Sequence, residues 1–140
     1  MQAKDLDQFT KAYLQCALFA ETDNSDDSGG EPLDRNYDIW DFAAGAIEKA
    51  YHDCVAFQAE YAYEIAETPA WEGVDSYTSE GYTGLECAAH DFWYTRNGHG
   101  VGFWDKEYYT QEEKDRLSKA SKAFGACSVY IGDDNKLYFE

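Results

Sequence analysis

HDFWYTRNGHGVGFWD, residues 90–105, carries a Phe-Trp step near each end and three glycines between them. Helical spacing runs into this stretch from upstream, so the first question is where that helix stops. Asn97-Gly98 supplies the stop, because glycine takes the left-handed conformation after a helix without steric penalty. Gly100 and Gly102 then let the backbone reverse tightly. The stretch predicts a helix that buries Phe92 and Trp93, a turn, and a return that brings Phe103 and Trp104 to the same core. Arg96 is one of few cations near a strongly acidic half of the chain, and it is expected to pair with a carboxylate.

Upstream, residues 79–96 read as that helix, with Ser79 or Thr78 as its cap. Leu85, Ala88, Ala89, Phe92 and Trp93 form its apolar side and Cys87 lies near the edge. Gly81 and Gly84 weaken its first turns. Residues 5–20 predict an earlier helix, on Leu6, Phe9, Tyr13, Cys16, Ala17 and Ala20. From about 44 to 67, Ile47, Ala50, Tyr51, Cys54, Phe57, Tyr61 and Ile65 keep helical spacing until Pro69. Residues 21–36 are an acidic loop and 37–43 a short turn anchoring Ile39, Trp40 and Phe42. Residues 68–78 form a connection anchored by Trp71. Downstream, Thr110-Gln-Glu-Glu113 is a capping box that opens a fourth helix ending near Phe124 and Gly125. Val129 and Ile131, a Gly-Asp-Asp-Asn turn, then Leu137 and Phe139 predict a hairpin. A lone hairpin is marginal in water. It must lie on the helices or gain a third strand from Val101–Trp104. The expected fold class is α+β: mainly α-helical, about four helices, with a small C-terminal antiparallel hairpin or three-stranded sheet. Residues 1–140 are expected to form one compact domain.

Charge restricts function more than fold. The 28 acids and 11 Lys plus Arg leave a net of −17. Residues 1–95 hold 20 acids and 4 bases, and no base falls between Lys49 and Arg96. Such a field repels nucleic acid and anionic membrane and attracts basic surfaces. No run approaches the roughly 18 apolar residues of a membrane span. The first residues lack the order of a signal peptide. A cytoplasmic location is expected, and with it four buried, reduced thiols at Cys16, Cys54, Cys87 and Cys127.

Catalysis within 90–105 would need His90 or His99 as base, Asp91 to orient an imidazole and Arg96 to hold an oxyanion. The stretch has no Ser or Cys nucleophile and no helical HxxxH. His90 and Asp91 are adjacent on a helix and point to different faces. The glycines resemble part of a nucleotide loop, but that loop must follow a strand and open a helix. A structural corner is therefore favoured over enzyme chemistry. A small-molecule site at His90, Arg96, Asn97 and His99 stands as the alternative, and a structural accessory role as a third reading.

HDFWYTRNGHGVGFWD resembles a signature of small acidic proteins of tailed bacteriophages and prophages. The likeness extends to AYLQCALFAETDNSDDSGGEPLDRNYDI, YHDCVAFQAE and SKAFGACSVYIGDDNKLYFE. A proline often opens the second helix of those proteins, where Ala44 stands here, and Leu often replaces Tyr94. The resemblance implies a phage or mobile-element origin. It brings no established activity and no catalytic residue.

Two acidic segments remain. In the 21–34 loop, Asp23, Asp26, Asp27, Glu31 and Asp34 offer hard oxygens. Counted from Asp23, however, Ser28 stands where an EF-hand needs Gly, and Asp34 where it needs a bidentate Glu. A solvated loop is favoured, with no metal and no cofactor. On the second helix, Glu60, Glu64 and Glu67 fall at i, i+4 and i+7 with no basic partner at helical distance, and Glu72, Asp75, Glu80 and Glu86 extend the field. Like-charge pairs at this spacing destabilise a helix by about 0.2–0.5 kcal/mol each. The expected partner is a basic protein surface, that of a host nucleic-acid-binding protein. It would be met by Glu60, Glu64, Glu67, Glu72, Asp75, Asp23, Asp26 and Asp27, in the manner of a DNA mimic. Direct binding to nucleic acid or membrane is not expected.

Overall fold

The computed structural model describes residues 1–23, 30–71 and 81–140. Helix α1 spans Gln8–Ala20, and its N-cap Asp7 accepts from the Thr10 amide. Gln58 Nε2 donates to the same carboxylate at 2.9 Å, which ties the next helix to this cap. Two-residue strands β1 (Thr22–Asp23) and β2 (Glu31–Pro32) pair antiparallel and close the base of the acidic loop. A 3₁₀ turn at Ile39–Asp41 leads into α2, Ala44–Ile65. The turn buries Ile39 and leads to buried Phe42, but Trp40 is 60% exposed, contrary to expectation. Three residues cannot all face one core through a single tight turn, and the middle one is turned out.

Helix α2 kinks at Tyr61, whose φ of −118° and ψ of 20° are not helical. Helix α3 spans Gly84–Arg96, starting later than the periodicity predicts. Its cap is Thr83 in a capping box with Glu86. The predicted caps Thr78 and Ser79 lie outside the described residues. Gly81 stands before the helix at φ 75°, so it does not weaken it. Asn97 is the C-cap and Gly98 follows at φ 70°, as the sequence requires.

Gly84 occupies the first helical position because a Cβ there would stand 2.0 Å from the Thr68 carbonyl oxygen. Propensity alone ranks alanine about 1 kcal/mol above glycine in a helix. Gly84→Ala should nonetheless lower the thermal midpoint, since the clash is with backbone. A rise in the midpoint by circular dichroism would contradict this packing.

A 3₁₀ turn at Phe103–Asp105 occupies the place proposed for a third strand. Phe103 is fully buried there, but Trp104 is 49% exposed, so only one half of the returning Phe-Trp step rejoins the core. The turn is fixed by the Phe103 amide, which donates to Thr95 Oγ1 at 3.1 Å. Helix α4, Gln111–Ala123, opens on the Thr110–Glu113 capping box. Strands β3 (Val129–Ile131) and β4 (Leu137–Phe139) form the C-terminal hairpin. It gains support from the helices: the Ala43 amide donates to the Leu137 carbonyl at 2.9 Å, and Phe42 stacks on Phe139 at 5.3 Å. The fold is α+β and mainly helical.

The core is aromatic. Phe9 and Tyr13 from α1, Phe57 from α2, Phe92 and Trp93 from α3, and Phe103 are each at most 1% exposed. Phe57 and Phe92 stack at 4.2 Å with their planes 12° apart. Helix α3 packs most extensively on α1, with α2 and α4 alongside. Among the described residues, no helix is long and apolar enough to cross a membrane.

Candidate functional site

The 90–105 junction does not gather His90, Arg96, Asn97 and His99 into one site. Arg96 is 4% exposed. Its Nε donates to the Gly125 carbonyl at 2.8 Å and its Nη2 to the Phe124 carbonyl at 3.0 Å. Nη1 donates to Asp53 Oδ2 and to the Tyr13 hydroxyl, each at 2.9 Å. The guanidinium therefore satisfies the C-terminus of α4 and pairs with a carboxylate of α2. Asn97 Nδ2 donates to the Trp93 carbonyl at 3.0 Å, and its Oδ1 accepts from the Cys127 amide at 2.7 Å. His99 meets the edge of Tyr94, and His90 meets Tyr82 edge-on at 4.6 Å. Burial lowers the pKa of His90 against the pull of Glu86. Of the four side chains proposed as a ligand site, Arg96 and Asn97 are thus committed to holding helix ends, and His90 and His99 rest on different tyrosines.

The acidic stripe is also rearranged. Glu60 and Glu67 are exposed, but Glu64 is buried and paired with Arg116 of α4. The sequence carried this signal: Glu64 stands seven residues after Phe57, on the stripe of Ala50, Cys54 and Phe57 that faces the core. No basic partner stands at helical distance, but the expectation of one exposed Glu60–Glu64–Glu67 row on the helix is corrected: Glu64 is buried against Arg116 and Glu67 lies past the end of α2. In place of Glu64, α4 brings Glu112 and Glu113 to the patch. A hydrogen bond that Glu67 donates to Glu113 when protonated, and the Glu113 charge, raise the pKa of Glu67 above the ordinary carboxylate value. The Thr110 amide and other partners hold Glu113 below it. Arg116 also reaches Glu112 at 3.3 Å. Charge-assisted contacts between helices that meet far apart in sequence are invisible to helical spacing.

Asp23 lies in β1, and Asp23 and Asp41 both act on Tyr37 to raise its pKa, after burial itself. Glu31, Asp34 and Asp38 are exposed near them. Asp26, Asp27, Glu72, Asp75 and Glu80 lie outside the described residues. Glu86 is spent in the Thr83 cap.

Two clefts meet at an aromatic cluster that sequence reasoning missed. One, of about 500 Å³, has Phe19, Asp34, Asp38 and Trp71 among its lining residues. The other, of about 430 Å³, includes Asp91, Lys106, Tyr108 and Trp71. Tyr82, His90 and Tyr94 border both. Asp91 is 3% exposed, and burial pushes its carboxyl up to about 6 against the opposing pull of Lys106. The cysteines do not add a nucleophile. Burial pushes the Cys16 thiol up to about 12 and raises Cys87 as well, so neither is a thiolate at neutral pH. All four cysteines are free thiols, three of them buried and Cys87 half-buried. Among the described residues, no group of three or more His, Cys, Asp or Glu is placed to hold a metal ion.

No family model, curated protein or solved structure matches this chain.

Proposed function

We propose that this chain is a non-enzymatic interaction protein whose acidic face docks on the basic, nucleic-acid-binding surface of a host protein. The observation that carries the reading is the patch of Glu60 on α2, Glu67 just past the end of that helix, and Glu112 and Glu113 on α4. The fold holds Glu67 and Glu113 close enough for each to displace the other's titration. Like charges held together cost stability, and a basic partner removes that cost. The chain's own cations offset the field in part: Arg116 stands within the patch, paired with Glu64 and Glu112, and leaves Glu60, Glu67 and Glu113 to face a partner. Arg96 is sequestered, and Lys106 is held by Asp91, Asp105 and the Gly102 carbonyl. The likeness to phage and prophage proteins favours a defence nuclease, a restriction system or a CRISPR complex as the target, met in the host cytoplasm.

The test is capture from host lysate by wild type and by Glu60→Lys/Glu67→Lys. Glu64 is left intact, because reversing it would bury an unpaired cation beside Arg116. The partner should stay bound near 0.01 M salt and release as salt rises, the Debye length shrinking from about 30 Å at 0.01 M to about 10 Å at 0.1 M. Duplex DNA should displace it, and the double variant should lose it at an unchanged thermal midpoint. Equal capture by both proteins, or a partner indifferent to DNA, refutes the assignment.

A further inference from the structure

The phase of the C-terminal hairpin decides which of its backbone groups are free. The Glu140 amide donates to the Ser128 carbonyl at 2.9 Å, and the Gly132 amide to the Lys136 carbonyl at 2.8 Å. Bonded and non-bonded pairs alternate along an antiparallel ladder, so Ser128, Tyr130 and Gly132 bond across the hairpin. Val129 and Ile131, opposite Phe139 and Leu137, turn their N–H and C=O groups outward. Leu137 shows the same phase from the other strand: its carbonyl leaves the hairpin and accepts from the Ala43 amide at 2.9 Å. That contact, with the bridge from Phe42 to Leu137, covers the edge of β4. The edge of β3 is uncovered: among the described residues, no hydrogen bond from outside the hairpin reaches the backbone of Val129 or Ile131. A cleft of about 340 Å³ runs along it, walled by Ser128, Val129, Tyr130 and Ile131 in succession. Side chains of successive strand residues point to opposite faces, so a wall of consecutive residues follows the strand and not one face. Glu21, Thr22 and Leu33 stand among the other lining residues.

We propose that this edge takes up an extended, Lys- or Arg-bearing segment of a partner protein as an added strand. Unpaired edges template further pairing, and folded proteins usually block them with a lysine, a proline or a bulge. Strand β3 carries none of these. Its Val-Tyr-Ile sequence is made of strong strand formers, so the edge is kept fit for pairing. Backbone bonds give such an addition its affinity, and the flanking side chains select the segment. Here charge selects it. Glu21 and Glu140 line the cleft, and no Lys, Arg or His does. Glu140 accepts from the Ser128 hydroxyl at 3.4 Å and His99 acts on Glu21 electrostatically, but neither carboxylate has a Lys or Arg partner among the described residues. The same charge disfavours a second copy, which would bring its own Glu21 and Glu140, and a net of −17, to a β3–β3 seam. The hairpin is anchored beside the start of α2, whereas the acidic patch lies at its far end, so the two sites stand or fall separately.

The probe is the acetylated, amidated pentapeptide Lys-Val-Lys-Val-Lys, titrated into the full chain and followed by NMR. It should bind saturably, and at saturation hydrogen exchange should slow at the Val129 and Ile131 amides. Alternation of Lys and Val pins its register, since a slip by one residue reverses its faces. N-methylation at the Val residues and N-methylation at the central Lys therefore remove donors on opposite sides of the added strand. One of the two should weaken binding about tenfold, and the other should leave it nearly unchanged. The Glu-Val-Glu-Val-Glu counterpart should not bind. Ile131→Pro deletes an outward donor and no bond of the hairpin, a change that edge strands tolerate, so it should lose the peptide at a similar thermal midpoint. If that variant does not fold, the methylated peptides decide the matter on wild type. No saturable binding, no protection at Val129 and Ile131, equal losses from the two methylations, or equal binding of the Glu peptide overturns the proposal. Wild type should sediment as a monomer, and a dimer abolished by Ile131→Pro would overturn it by placing a second copy on this edge.

Discussion

Arg96→Met should lower the free energy of unfolding by about 3–5 kcal/mol, the range seen when one member of a buried charged network is removed. Methionine fills much of the space between the Phe92 and Phe124 rings, which lie 5.7 and 5.6 Å from the guanidinium carbon. The loss is therefore mainly polar. Two carbonyls at the end of α4, the Tyr13 hydroxyl and one oxygen of Asp53 lose their donor together. Lys49, at 3.3 Å from Asp53, can hold that carboxylate but cannot reach inward to the rest. Arg96→Lys should fall between the two, because a single ammonium keeps the charge but not the planar fork that spans α2 and α4. Urea unfolding with an unchanged slope measures the difference. A loss under 1 kcal/mol for Arg96→Met would mean that water replaces the network, and that the junction is more open than its burial indicates. Every surface carboxylate survives the change, so partner capture per folded molecule should not alter.

That junction shows how far sequence carried the fold. The stop at Asn97-Gly98 and the cap at Thr110–Glu113 were legible because each is a local backbone requirement met by a particular residue. The hairpin was legible for the same reason. The buried faces of α1 and α2 followed from spacing, since a helix exposes one side to solvent whatever lies opposite. Side chains in single-turn 3₁₀ segments were not legible, because such a turn has no repeat from which to infer a face. Trp40 and Trp104 were expected in the core on hydrophobicity alone and point outward. The Thr83–Glu86 box stands in the sequence, but apolar spacing that continues upstream of it hides the start of the helix. Glu64 was assigned to the surface on charge although its position placed it inside. The cleft lined by Trp71, Tyr82 and Lys106 could not be seen at all. Its walls come from the segment after α2, from α3 and from residues flanking the 3₁₀ turn at Phe103–Asp105, and no local pattern records that these three meet.

The second large effect concerns Phe92, and it separates scaffold from site. Phe92→Ala should cost about 3–5 kcal/mol, the usual range for removing a buried phenyl ring. The ring is fully buried and touches four others: Phe57 at 4.2 Å, Phe124 at 5.2 Å, Tyr13 at 5.4 Å and Phe9 at 6.2 Å between centroids. Three helices and the end of α4 meet there, so no single element can shift to close the cavity without pulling the others. Phe92→Leu should cost about 1–2 kcal/mol less, by restoring part of the volume. A cycle with Phe57→Leu should leave a coupling of about 0.5–1.5 kcal/mol, expected for a parallel-displaced aromatic pair beyond its buried area. Arg96 stands one turn further along α3 with its guanidinium over the Phe92 ring, so the two large losses share a contact. Phe92→Ala combined with Arg96→Met should therefore cost less than the two single effects added together, since contacting residues are not additive. Full additivity in urea unfolding would show that the guanidinium draws its stability from the carbonyls, Tyr13 and Asp53 alone, and gains nothing from the aromatic face beneath it.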